Sequence, residues 1–265
     1  MLRIASSLVL APVAIAVAYV GGYIFIAFWA IAAILVLWEW DTLVCAHDRN
    51  AVLGTGAVTL AGAGLALAFD GVGIAIAFIC LGVLGFAALT SRVRRLWCSA
   101  GFGYAAALLF APVLLRGDAS FGFAAILFLF VIVWLTDITA YFVGRAVGGP
   151  KLMPRVSPNK TWSGAIGGTI AGVVGGVIVA RQAGVAGLAA AAVVAFVLSV
   201  VSQAGDLAES AIKRQFSAKD ASQIIPGHGG LMDRLDGFVA AAAAGALIGL
   251  CHGGFDAPAQ GLMVW

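Results

Sequence analysis

Of the 265 residues, 63% are hydrophobic and only 10% charged, and a mean hydropathy of +1.08 excludes an ordinary soluble domain. The formal net charge of +3 is small and the basic residues are dispersed among loops, which argues against a nucleic-acid partner. The apolar runs are too long and too uniform for the alternating strands of a barrel, so the fold class is an all-α, polytopic integral membrane protein.

A helical span takes about 20 mostly apolar residues. By that ruler spans fall near Ile4–Val20, Tyr23–Trp38, Ala51–Phe69, Gly71–Thr90, Cys98–Leu115, Ser120–Val143, Gly164–Ala180, Val185–Ala204 and Phe238–Phe255, nine helices in a single membrane-embedded domain over residues 1–265. Arg3 and the apolar run after it have the look of a cleaved secretory signal, but hydrophobicity continuing through Trp38 favours a retained helical hairpin. Glu39 and Asp41, where the second span ends, read as a solvated or interfacial cap. Cys45, Cys80, Cys98 and Cys251 show no CxxC spacing and read as small packing residues, not as a disulfide or a zinc site.

At the end of the sixth span Asp137 and Tyr141 stand one turn apart, and an ionisable residue at such depth is a functional candidate; the alternative is a packing carboxylate paired with an Arg. In the seventh, Gly167, Gly168, Gly172, Gly175 and Gly176 suit close packing of helix backbones in lipid. His252, near the outer end of the last span, has no catalytic company and reads as interfacial.

Polarity is concentrated between Asp206 and Asp236, in DLAESAIKRQFSAKDASQIIPGHGGLMDRLD. If residues 206–214 are helical, Asp206, Ser210 and Lys213 lie on one face at i, i+4 and i+7, a carboxylate, a hydroxyl and an ammonium together. Pro226, Gly227, Gly229 and Gly230 break the helix around His228, and Asp233 and Asp236, at i and i+3, turn two carboxylates from a new helix toward that break. Carboxylates beside cations suit phosphate with Mg²⁺, which takes one or two carboxylates and completes its shell with phosphate oxygens and water, while Lys and Arg neutralise the remaining charge.

The stretch resembles the CDP-diacylglycerol synthases, or phosphatidate cytidylyltransferases, whose signature is Ser, two residues, Lys-Arg, four residues, Lys-Asp, then His-Gly-Gly, two residues, Asp-Arg, one residue, Asp. Ser210, Lys213, Arg214, Lys219, Asp220, His228, Gly229, Gly230, Asp233, Arg234 and Asp236 fill those positions. A second stretch, Trp134 to Gly164, resembles the family's Asp-x-x-Ala-Tyr helix end running through Gly-Arg into Ser-Pro-x-Lys-Thr-Trp, so the motif-bearing part spans 134–237. One position departs: Ser163 stands where the family usually carries an acid.

The resemblance implies an enzyme that converts CTP and phosphatidate to CDP-diacylglycerol and pyrophosphate in phospholipid biosynthesis. Carried over residue by residue, the expected catalytic set is Lys213, Asp233, Ser210 and His228. Lys160, Asn159, Arg214, Lys219 and Arg234 would bind substrate phosphates, Asp206, Asp233 and Asp236 would hold Mg²⁺ with room for a second cation, and Asp137 and Tyr141 would support them. For His228 a turn-holding role stands equally open. The expected partners are CTP, the phosphatidate lipid and the bilayer, with a homodimer as the oligomeric form.

With nine spans, thirteen of the fifteen basic residues share one side and only Arg116 and Arg181 fall on the other. The positive-inside rule makes the first side cytoplasmic, so a multi-pass protein of the bacterial inner (plasma) membrane with a cytoplasmic active site and an external C-terminus is expected. Two alternatives stand: another CTP-dependent lipid enzyme (a polyprenol kinase or an ether-lipid cytidylyltransferase), and a transporter of a phosphorylated solute, which calls for charges near mid-membrane and on both faces.

Overall fold

The computed structural model describes residues 2–44, 49–224 and 229–265. It divides into two compact units, Met1–Val113 with Gln215–Leu235, and Leu114–Arg214 with Asp236–Trp265. The first holds α1 (Leu2–Val20), α2 (Gly22–Val44), α3 (Arg49–Ala68), α4 (Val72–Leu89) and most of α5 (Arg95–Gly117). The second holds α6 (Gly122–Val147), a hairpin of β1 (Lys151–Met153) and β2 (Ser157–Thr161), α7 (Trp162–Gln182), α8 (Leu188–Gln215), most of α9 (Met232–Gly253) and α10 (Pro258–Met263).

Among the described residues the eight helices α2 to α9 are long and apolar enough to cross a membrane, and they match the second to ninth expected spans in order. In α1 the stretch Leu10–Val20 forms a shorter apolar helix. The short α10 and the hairpin are additions to the expected architecture.

In the first unit the core is aromatic: Phe25, Trp29, Phe86 and Phe102 are fully buried, and Phe86 and Phe102 lie 4.9 Å apart between centroids. The Trp40 indole donates to the Trp97 carbonyl at 3.0 Å and packs where a Cβ on Gly101 would stand. Cys98 is disulfide-bonded, which corrects the expectation of a plain packing residue there, whereas Cys80 and Cys251 are free.

In the second unit α7 has two opposite faces four residues in period. Gly164, Gly168, Gly172 and Gly176 form one; Ile166, Ile170, Val174 and Ile178 form the other and are exposed, as suits lipid in place of water. The glycine face lies on α6 so closely that a Cβ on Gly164 would stand 2.6 Å from the Ala140 carbonyl oxygen, and one on Gly168 2.5 Å from that of Thr136. The buried hydroxyls of Thr136 and Ser199 meet at 2.8 Å and join α6 to α8. Such interhelical hydrogen bonds and small-residue contacts replace the hydrophobic drive that lipid removes.

What ends α6 sets up the hairpin. Gly148 and Gly149 both have positive φ, at 67° and 98°, and the Gly148 N–H closes on the Gly144 carbonyl at 3.1 Å. The strands pair antiparallel with Lys151 opposite Thr161 and Met153 opposite Ser157; Pro154 opens the turn, closed by Val156 N–H on the Met153 carbonyl at 3.1 Å. Thr161 then caps α7, its hydroxyl accepting the Gly164 N–H at 3.1 Å. At the other end of the unit, His252 Nδ1 and the Gly261 carbonyl share a hydrogen bond at 3.0 Å, so His252 ties α9 to α10.

Candidate active site

The expected span in α8 stops at Ala204, where the apolar run stops, but the helix itself continues to Gln215 because residues 206–214 contain neither Gly nor Pro to end it. Asp206 and Ser210 therefore stand one turn apart, with Ser210 Oγ 3.5 Å from Asp206 Oδ1. Lys160 arrives from β2 and forms an ion pair with Asp206 Oδ2. Lys213 follows on the same helix, and its ammonium lies 2.9 Å from Glu209 Oε1, one turn back; both side chains are buried. Glu209 is thus the ion-pair partner of Lys213, which reading the signature alone misses, although an E-to-K pair at i, i+4 was visible in the sequence. Asp236, half-buried on α9, is close enough to Asp206, Glu209 and Asp137 to feel their charges, and its Oδ1 accepts the Gly237 N–H at 2.7 Å. Among the described residues no three acidic, His or Cys side chains converge closely enough to form a metal cage of their own.

Above Asp206 opens a cavity of about 440 Å³. Asp137, Ala140, Tyr141, Gly144 and Arg145 of α6 form one wall; Lys151, Leu152, Asn159, Lys160 and Thr161 of the hairpin form another; Gly164, Ala165, Gln203 and Asp206 close it from α7 and α8. The hairpin explains the gathering: pairing the backbones of β1 and β2 satisfies their polar groups and leaves Lys151, Asn159 and Lys160 to the cavity. Arg145 donates from Nη1 to the Tyr141 hydroxyl at 3.0 Å, and Gln203 donates to Thr169 Oγ1 at 2.9 Å to hold α8 against α7. Three cations and two carboxylates thus share one concave surface. Lys151 enters the sequence reading only through its side of the membrane, and Arg145 through that and as the Arg of the Gly-Arg step, with no role assigned to either. What could have marked them was the hairpin, which short strands broken by proline do not announce.

Of the expected residues, Asp137, Tyr141, Asn159, Lys160 and Asp206 line this cavity, and Ser210 touches Asp206. Lys213 is not part of the wall. Arg214 is exposed and donates Nε to the Val156 carbonyl at 3.5 Å. Ser163 donates to the Gly148 carbonyl and shares a 3.0 Å hydrogen bond with the Thr161 hydroxyl, so this departure from the family pattern is built into the turn that leads α6 into the hairpin.

In the first unit, the loop entering α9 is organised by carboxylates. Asp233 Oδ2 accepts the N–H of Gly230 at 2.8 Å, reaching back three residues as in a capping box, and that of Ala221 at 3.0 Å. Glu39 and Asp41 are buried, which corrects the expectation of a solvated cap. Lys219, Asp220 and Arg234 are exposed. His228 lies outside the described residues.

The description "Cytidylyltransferase family" belongs to the family pattern that matches residues 1–251. The chain belongs to the cytidylyltransferase family. A phosphatidate cytidylyltransferase of Brucella abortus biovar 1 (strain 9-941) is 46% identical over 242 residues, covering 91% of this chain and 90% of the relative. That of Brucella suis biovar 1 (strain 1330) is 44% identical over 257 residues, covering 97% and 95%. A phosphatidate cytidylyltransferase of Haemophilus influenzae is 42% identical over 132 residues, 47% of this chain and 45% of the relative.

Proposed function

We infer that the chain is an integral membrane nucleotidyltransferase that joins CTP to phosphatidate, giving CDP-diacylglycerol and pyrophosphate. The observation that carries this is the cavity of the second unit, where Arg145, Lys151 and Lys160 face Asp137 and Asp206 at the end of membrane-spanning helices. A phosphate oxygen of phosphatidate attacks the α-phosphorus of CTP in line. The new P–O bond forms as the bond from the α-phosphorus to the bridging oxygen breaks, and pyrophosphate leaves with the electron pair. The nucleophile is already ionised at neutral pH, so the work left to the protein is positioning and the removal of repulsion between two anions. Lys160, Arg145 and Lys151 neutralise phosphate charge, with Arg214, Lys219 and Arg234 as further phosphate-binding candidates; Asn159 and Ser210 donate hydrogen bonds, and Tyr141 orients Arg145.

Asp206 and Asp236, in mutual electrostatic reach and with Glu209 and Asp137 near, suit a cation that needs few protein ligands. Those two, with Asp233 one turn earlier on α9, would hold Mg²⁺, which supplies neutralisation of charge on the transferring phosphates. The basic residues support a cytoplasmic active site in a bacterial inner membrane. A cysteine in place of Trp265 should then react with an impermeant reagent only from outside, and labelling from the cytoplasm alone would make the span count wrong by one.

The test of the reaction is purified protein with labelled CTP, Mg²⁺ and phosphatidate. Label recovered as CDP-diacylglycerol is the expected result. A folded protein that labels only a different lipid acceptor, or none, overturns it.

A further inference from the structure

We propose that Glu39, at the end of α2, is a positioning residue for the transfer, acting through the loop that leads into α9; this rests on the function read above. The first N–H groups of a helix have no partner within it. For α9 the missing partner comes from far away in the chain: Glu39 Oε1 accepts the Leu231 N–H at 2.8 Å and Oε2 the Met232 N–H at 2.6 Å. Oε1 also accepts the Ser222 hydroxyl at 2.5 Å, so one carboxylate ties Ser222, within the loop, to the residues that begin α9. It is wholly enclosed, at 0% exposure, and Gly230 lies so near that a Cβ there would stand 2.6 Å from Oε1.

A helix N-terminus is where an anion is most readily held, and a phosphate would normally compete for it. Here the protein fills that place with its own carboxylate, which leaves substrate phosphates to side chains and fixes the first turn of α9. Asp233 and Arg234 occupy its first turn, so their placement follows from the Glu39 contacts. A carboxylate that only stabilised the fold would show the same hydrogen bonds. The difference appears in turnover per folded molecule.

In Glu39→Gln the volume is kept, but one oxygen becomes an amide that points N–H groups at N–H groups. Full-length protein in lipid nanodiscs should keep its melting temperature within a few degrees, while kcat falls on the order of 10²-fold, the loss that a small misplacement of reacting groups brings, and KM for CTP and phosphatidate changes little. Glu39→Asp, charged but one methylene short, should recover part of kcat. Hydrogen exchange should quicken at Leu231 and Met232 and stay unchanged in α7. If Glu39→Gln does not fold, Ser222→Ala removes one of the three donors and should lower kcat several-fold with the same change in exchange. Wild-type kcat in folded Glu39→Gln overturns the proposal, and so does lost activity that merely tracks lost folded protein with loop exchange unaltered. The exchange measurement needs no CDP-lipid product, so a failure of the assigned reaction is distinguishable from a failure of the loop argument.

Discussion

Between α6 and α7 the chain pairs its backbone with itself in a hairpin, and the side chains of Lys151, Asn159 and Lys160 are left to line a cavity. Between α8 and α9 the described residues form no helix or strand, and two carboxylates, Glu39 and Asp233, are occupied with backbone N–H groups. Where secondary structure satisfies the backbone, polar side chains remain available to a ligand. Where it does not, side chains must do that work, because an unpaired buried N–H costs about 1–3 kcal/mol. The acids of the polar stretch are therefore unlike one another: Asp206 lines the cavity in partnership with Lys160, and Asp233 serves as an acceptor for backbone N–H groups.

The largest effect should come from Asp206→Asn, which keeps the volume but removes the charge and the ion pair with Lys160. Its kcat should fall on the order of 10²- to 10³-fold, the loss typical of one preorganised electrostatic partner, with a higher Mg²⁺ requirement and an unchanged folded yield. Near-normal turnover at every Mg²⁺ concentration would break the contrast from the cavity side. Asp233→Asn comes next. Asparagine keeps one oxygen able to accept the Gly230 and Ala221 N–H groups, so the loop should largely survive and the loss report the missing charge. A fall on the order of 10²-fold with a raised Mg²⁺ requirement is expected for a residue that both holds the loop and serves the metal. A loss below tenfold with no shift in Mg²⁺ would assign Asp233 to the loop alone.

Lys213→Ala sharpens the comparison differently. Its ammonium sits on a buried Glu209, and breaking a buried ion pair by removing one partner destabilises by about 3–5 kcal/mol. The folded yield should drop markedly, and turnover per folded molecule by about tenfold, less than for Asp206→Asn. The double variant Lys213→Ala with Glu209→Ala should regain folded protein. Circular dichroism melts in detergent alongside product assays separate the two quantities. A wild-type melt with turnover lost on the Asp206 scale would instead place the Lys213 ammonium against substrate.

The helices were legible because lipid imposes a length and an apolar composition on each span, and the glycine stripe of α7 because its four-residue period is a helix face. The Asp206 and Ser210 pairing was legible for the same reason, being local to one helix. The hairpin was not: strands of three and five residues, with Pro154 between them and Pro158 in the second, are too short for alternation to register. Nor was the role of Glu39, whose nearest loop partner, Ser222, lies 183 residues away, a separation over which no periodicity carries information. The cavity's Arg145 and Lys151 were visible as charges but not as neighbours of Asp206, since only the folded hairpin places Lys151 there.

The smallest effect concerns Ser163, where the family pattern that this stretch resembles usually has an acid. Two opposing terms decide the outcome of Ser163→Glu. The hydroxyl donates to the Gly148 carbonyl, and a carboxylate cannot, which costs about 1 kcal/mol for the lost hydrogen bond. Against this, position 163 lies in the first turn of α7, where a negative charge gains about 0.3–1 kcal/mol from the helix dipole. The terms nearly cancel, and Ser163 is not part of the cavity wall, so stability should stay within about 1 kcal/mol of the parent and turnover within several-fold. Ser163→Ala, which loses the hydrogen bond without gaining the charge, should be the less stable of the two by about 0.3–1 kcal/mol, read as a lower melting temperature. Background activity in a folded Ser163→Glu protein would mean that the Gly148 turn governs where the hairpin lays Lys151 and Lys160, and that a single hydroxyl is enough to set the cavity's cationic wall.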